Sequence, residues 1–281
     1  MFLRVTKTQT ALLLRQKEAV ITFYILLALV SMTFIGNVLS FHGSDVLSMY
    51  QPMKLLSLSY NRTNWNADIT LLVIQLYPLL VVCPAGFSLV KEYHTKESLF
   101  MVGRLGSTTY YFSKLLAAFI STFIIFCVPF LLEIVLNCIS FPLAATGDLT
   151  NQDIYDPQYI AGVRNYLFHG LFLCSPYLYA IFAVLFFGFV SGLLGVFTVA
   201  FSALVRVKYR VFLFLPVFIL MNGTLYAPML LGKHELQTEW YHYLLLFNDE
   251  QKHAAAFCLA ILLLAAFSVA ATWFSSRRDH L

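Results

Sequence analysis

"YYFSKLLAAFISTFIIFCVPFLLEIVLNCI", Tyr110 to Ile139, carries one cation near its start, Lys114, one acid near its end, Glu133, and no other charge. A hydrocarbon layer about 30 Å thick is crossed by roughly 20 apolar residues at about 1.5 Å each, so this run predicts a membrane-spanning helix with length to spare. The rest of the chain agrees with it. Its 281 residues are 60% hydrophobic, 16% aromatic and only 11% charged, with a mean hydropathy of +0.77. Soluble globular domains do not have this composition. The sequence predicts an all-α polytopic membrane protein.

Apolar runs separated by turn and charge signals place six spans, at about 19–40, 69–90, 110–139, 171–205, 211–231 and 254–274, in a single transmembrane domain covering 1–281. The stretch 1–18 is an amphipathic approach to the first span. It is too long a polar lead for a cleaved signal peptide and no small-x-small site follows, so the first span is expected to stay as an anchor. Lysine and arginine favour cytoplasmic loops. With the N-terminus inside, that side holds Arg4, Lys7, Arg15, Lys17, Lys91, Lys96, Arg104, Lys114, Arg206, Lys208, Arg210, Arg277 and Arg278, against Lys54, Arg62, Arg164, Lys233 and Lys252 opposite. Both termini are expected in the cytoplasm. The acids Asp45, Asp68, Asp148, Asp153, Asp156, Glu235, Glu239, Asp249 and Glu250 fall on the other side, where they read as solvated loop charges. The small positive balance suits anionic lipid rather than nucleic acid.

Several chemistries are excluded. There is no G-x-x-x-x-G-K-[ST] phosphate loop and no H-E-x-x-H zinc motif, and Ser191 in "GFVSGLLG" has no histidine at comparable depth later in the chain. Cys83, Cys127, Cys138, Cys174 and Cys258 all lie in apolar runs, without disulfide-framework or zinc spacing. No enzyme active site, metal site or bound cofactor is expected. Asn61-Arg62-Thr63 is a glycosylation triplet, a weak signal on its own.

Between the second and third spans stands "KEYHTKESLFMVGRLGSTTYYFSKLL", Lys91 to Leu116. Leu99, Phe100, Met101 and Val102 alternate with Lys96, Glu97 and Arg104. This predicts one short amphipathic helix from Glu92 to Arg104 lying flat under the bilayer, ended by Gly103 and Gly106. Tyr110 and Tyr111 then mark the interface, and Lys114 is placed to snorkel to the headgroups. On the residues alone it is an interfacial connector.

Six spans, a basic amphipathic lead, a glutamate-bearing helix after the second span, then small residues, an aromatic pair and Lys114 before "LLAAF" resemble the permease subunits of type-2 ABC exporters. In that family the segment holds a glutamate, a glycine, an apolar patch, a proline turn and a lysine. Here Glu92 or Glu97 supplies the acid, "LGST" stands at the turn, and the glycine and the proline are absent. The resemblance implies a coupling helix that seats in a separate ATPase, with Glu92, Lys96, Glu97 and Arg104 as its charges and Leu99 and Phe100 as its apolar key. The lead 2–18 lies beside it as a second contact. It further implies two ABC ATPase subunits carrying ATP and Mg, a second permease as homo- or heterodimer, and a route lined by the second and fifth spans. A multi-pass protein of the plasma membrane, in a bacterial cytoplasmic membrane, is the expected home.

Polar and helix-breaking residues within spans mark pathways. The fifth span, "FLPVFILMNGTLYAPM", has Asn222, Gly223 and Thr224 between two prolines, and the second has Gln75 and Tyr77 beside Pro78. Glu133 is an acid within a span, either a cation or proton site or a packing partner. Gly188, Ser191, Gly192 and Gly195 have the spacing of close helix contact, within the chain or between copies. The expected function is export by alternating access, driven by the partner's ATP hydrolysis. The alternatives are an ion-coupled transporter or channel using Glu133 and the polar centre of the fifth span, and a membrane scaffold that moves nothing.

Overall fold

The computed structural model describes residues 2–42, 52–60, 67–143, 166–205, 209–230, 239–248 and 254–278. Its helices are α1 (Phe2–Leu14), α2 (Lys17–Phe41), α3 (Ala67–Leu80), α4 (Ser88–His94), α5 (Glu97–Leu105), α6 (Ser107–Ser140), α7 (His169–Cys174), α8 (Pro176–Leu204), α9 (Phe214–Leu230), α10 (Tyr241–Leu244) and α11 (Ala254–Arg278). Among the described residues there is no strand, and α2, α6, α8 and α11 are long and apolar enough to cross a membrane. The chain is therefore an all-helical, multi-pass membrane protein.

Departures from the expected spans have local causes. The second expected span is not one helix: α3 ends at Leu80, and turns follow to Ser88. Pro84 lacks an N–H and disfavours helical backbone at Cys83 before it. Gly86 adds a second constraint, because a Cβ there would stand 2.8 Å from Thr198 on α8. The fourth breaks at Ser175, which is extended at φ −165°, so that Pro176 opens α8 in the first-turn position prolines tolerate. The fifth starts as a 3₁₀ turn, Arg210–Leu213, before α9.

α6 and α8 form the most extensive helix pair of the bundle, joined through the small residues of α8. A Cβ on Gly188 would lie 2.1 Å from Cys127 Sγ, one on Gly192 2.8 Å from the Phe119 ring, and one on Gly195 2.7 Å from Thr122 Oγ1. The glycine stripe thus serves packing within the chain. Beside it Tyr77 packs among Phe126, Phe187 and Trp240, the last stacked on it at 4.9 Å between ring centroids.

The bundle has two distinct ends. At one, Ser107 Oγ donates to Ser276 O (2.8 Å), Glu18 pairs with Arg210 (3.7 Å) and α1 lies against α6, which gathers Arg4, Lys7, Arg15, Lys17, Lys91, Lys96, Arg104, Arg210, Arg277 and Arg278. At the far end, two loop segments tuck into the bundle and meet each other. Leu246 N–H donates to Leu58 O (2.9 Å), and Tyr60 N–H to Leu246 O (2.8 Å). Asn37 Nδ2 holds Leu55 O (2.7 Å) from α2, and His242 is fixed between Glu239 (2.6 Å) and Asn248 (2.7 Å). Asn61, residues 206–208 and most of the acids expected opposite the basic side (Asp45, Asp148, Asp153, Asp156, Glu235, Asp249 and Glu250) lie outside the described residues.

Candidate functional site

The segment expected as a single amphipathic helix is an elbow. α4 ends at His94, Lys96 adopts the left-handed conformation (φ 60°), and α5 follows. Gly103 stays helical, and it is Gly106, at φ 81°, that ends α5 and turns the chain into α6. A glycine suits that left-handed position because a side chain would clash with its own backbone.

Glu92 anchors the elbow. Its carboxylate accepts hydrogen bonds from Lys114 Nζ through one oxygen and from Tyr110 Oη through the other. Both donors belong to the first two turns of α6 and are buried. One residue on, Tyr93 and Tyr111 share a hydrogen bond at 2.8 Å between hydroxyls. Lys114 therefore does not snorkel to a surface, because Glu92 is folded back over it across the Gly106 turn. A charge out of water persists only when paired and hydrogen-bonded, and both conditions are met here.

α5 presents the opposite face outward. Ser98 is buried and Met101, Val102 and Leu105 are half-buried, while Leu99 and Phe100 are 70% and 73% exposed, flanked by exposed Lys96, Glu97 and Arg104. Two neighbouring apolar side chains at a helix surface, rimmed by charges of both signs, form an exposed apolar ledge. α1 stands across from it, burying Thr6, Gln9 and Leu13 at helical spacing against the bundle. The lead helix ends at Leu14, because Gln16 is extended at ψ 143°. Between α1 and the elbow lies a cavity of about 220 Å³.

The expected pathway residues do not converge. Tyr77 is buried in the aromatic core, where its hydroxyl meets Ser191 Oγ at 2.9 Å. Since Ser191 donates to Phe187 O (2.7 Å), Tyr77 is the donor of that pair. Gln75 faces outward from α3. Asn222 Nδ2 donates back to Phe218 O (3.0 Å), Gly223 is exposed, and Thr224 Oγ1 donates to Met221 O (2.6 Å). Thr224 also borders an apolar cavity of about 520 Å³ between α8, α9 and α11. Glu133 sits at the far end, buried, with Oε1 accepting from Ser57 N–H (2.7 Å) and Oε2 from Ser57 Oγ (2.6 Å). No group of three or more His, Cys, Asp or Glu that could hold a metal occurs among the described residues.

Sequence reasoning missed the roles of Lys114, Gln9 and Ser57. Lys114 alone carried a signal, an unpaired cation inside an apolar run. No protein-family model matches this sequence, and neither the curated proteins nor the solved structures provide a match.

Proposed function

We propose that the chain is the membrane-spanning permease subunit of a type-2 ABC exporter, with the α4–α5 elbow as its coupling element. One observation carries this reading: an exposed apolar ledge, Leu99 and Phe100, sits on a helix pair tied to the first turns of a 34-residue spanning helix by an ion pair between half-buried Glu92 and buried Lys114. A ledge on a loose loop would absorb a push, whereas this one passes it to α6. The sequence has no phosphate loop, so the ATP and Mg belong to two partner ATPase subunits, as the family resemblance implies.

In this reading the basic end faces the cytoplasm, following the preference of lysine and arginine for that side, and both termini lie there. α3 with its following turns and α9 with its 3₁₀ lead-in complete six crossings. The second and fifth crossings border the route, with Gln75, Asn222, Gly223 and Thr224 on them, between two copies of this chain or this chain and a similar one. ATP-driven closure of the ATPases tilts α6 and, through the glycine contact, α8. The ion-coupled alternative rests on Glu133 and the polar centre of the fifth span; both oxygens of the Glu133 carboxylate are engaged by one loop serine, and Asn222 and Thr224 bond back to their own helix. That arrangement suits a clip, which favours the exporter. A bacterial cytoplasmic membrane is the proposed location.

The test is a mild-detergent purification of tagged protein from its native cells, with the co-purifying chains identified. A P-loop ATPase that accompanies the wild type and is lost from Leu99→Asp/Phe100→Asp supports the assignment. A folded permease that brings down no ATPase overturns it.

A further inference from the structure

The cavity between α1 and the elbow is built from groups that together ask for a particular ligand. Gln9 lines it, is 3% exposed, and its Oε1 accepts no hydrogen bond among the described residues. A buried acceptor without a donor carries a desolvation cost that a ligand N–H would remove. Glu92 and Lys114 line the inner wall and neutralise each other, while Glu97, exposed on α5 and without an ion pair among the described residues, adds a negative charge at the rim. Leu13 and Phe100 supply apolar wall on either side. At about 220 Å³ the space is smaller than the roughly 300–1,000 Å³ of sites for drug-sized molecules, and suits one short group.

We propose that this cavity binds a small organic cation, a protonated amine or guanidinium on a short apolar stem. The N–H groups meet the Gln9 carbonyl, turned about its last side-chain bond, and the Glu97 carboxylate. The stem lies along Leu13 and Phe100, as lysine stems do along apolar surface. An anion is disfavoured, because it would meet two carboxylates and an orphan acceptor, with the one lining cation already paired. The surrounding Arg4, Lys7, Arg15, Lys17, Lys96 and Arg104 are exposed and none of them lines the cavity, whereas Glu97 does. The same chemistry is offered by free alkylamines and by the ethanolamine headgroup of a membrane lipid.

The test uses the full chain in nanodiscs of phosphatidylcholine, whose quaternary headgroup has no N–H, titrated calorimetrically with n-butylammonium. The expected result is saturable binding, with n-pentanol and butyltrimethylammonium failing to compete. Gln9→Leu, checked for its melting transition, weakens binding by about tenfold, as expected for loss of a hydrogen bond to a charged group, and Glu97→Gln, a surface change that leaves the bundle intact, weakens it by about three- to fivefold, as expected for an exposed charge pair. Adding phosphatidylethanolamine to the discs separates the sources. Weakened butylammonium binding identifies the headgroup as occupant, and unchanged binding identifies a free amine. Equal binding of n-pentanol, affinity unchanged in both variants, or no saturable binding by folded protein overturns the proposal.

Discussion

Each end of α6 engages one acidic side chain, half-buried Glu92 and buried Glu133, and the two are held in different ways. At the basic end, Glu92 reaches from α4 to a lysine and a tyrosine of α6, a charge-to-charge link between two helices. At the far end, Glu133 of α6 receives, among the described residues, a backbone N–H and a hydroxyl, both from Ser57 in a loop segment. The cation-paired carboxylate strongly resists loss, because the surviving Lys114 would be a buried unpaired charge. A carboxylate held by neutral donors loses one hydrogen bond at a time. The contrast separates a joint suited to carrying force between helices from a clip that seats a loop.

The contrast breaks most sharply at Lys114. Lys114→Met leaves half-buried Glu92 without its cation and is expected to destabilise the fold by about 2–3 kcal/mol, below the cost of stranding a fully buried charge, seen as a drop in the melting temperature of detergent-purified protein. Pairing it with Glu92→Gln restores most of the loss, and a double-mutant cycle with no coupling would refute a direct joint. Next comes the contact that keeps both ends in register. Gly188→Ala forces a methyl into Cys127 Sγ, at a cost of about 1–3 kcal/mol, and Cys127→Ala in the same chain relieves it. At the far end Ser57→Ala removes one donor from Glu133 and costs about 1–2 kcal/mol. Its diagnostic effect is local: faster amide hydrogen exchange across 52–60, with 88–105 unchanged. The smallest effect belongs to Tyr93→Phe, about 0.5–1.5 kcal/mol for the shared hydroxyl bond, with loosening of α4 rather than of the far-end loop.

What was legible in the sequence follows from range. Apolar runs announce long helices locally, so α2, α6, α8 and α11 were readable within a few residues, and the glycine spacing of α8 announced a close neighbour. Breaks at Ser175–Pro176 and after Leu80 were written as prolines inside runs long enough to look continuous. Outward placement of Leu99 and Phe100 did not follow from alternation alone, because an amphipathic helix can turn its apolar side to lipid or to protein. The Glu92–Lys114 link spans 22 positions across a glycine turn, and Ser57 meets Glu133 across 76 positions. Contacts of that separation depend on the assembled bundle and leave no periodic trace. Gln9 is a further case, since a glutamine on an amphipathic helix reads as a surface residue until α6 covers it.

The most direct test of the account is the amount of ATPase recovered per permease from native cells, compared between Leu99→Asp/Phe100→Asp and Ser57→Ala. The account predicts that the ledge variant loses the ATPase while remaining folded, and that the clip variant retains it at the wild-type ratio. Equal recovery from both, or loss from the clip variant alone, would contradict the assignment of docking to the basic end.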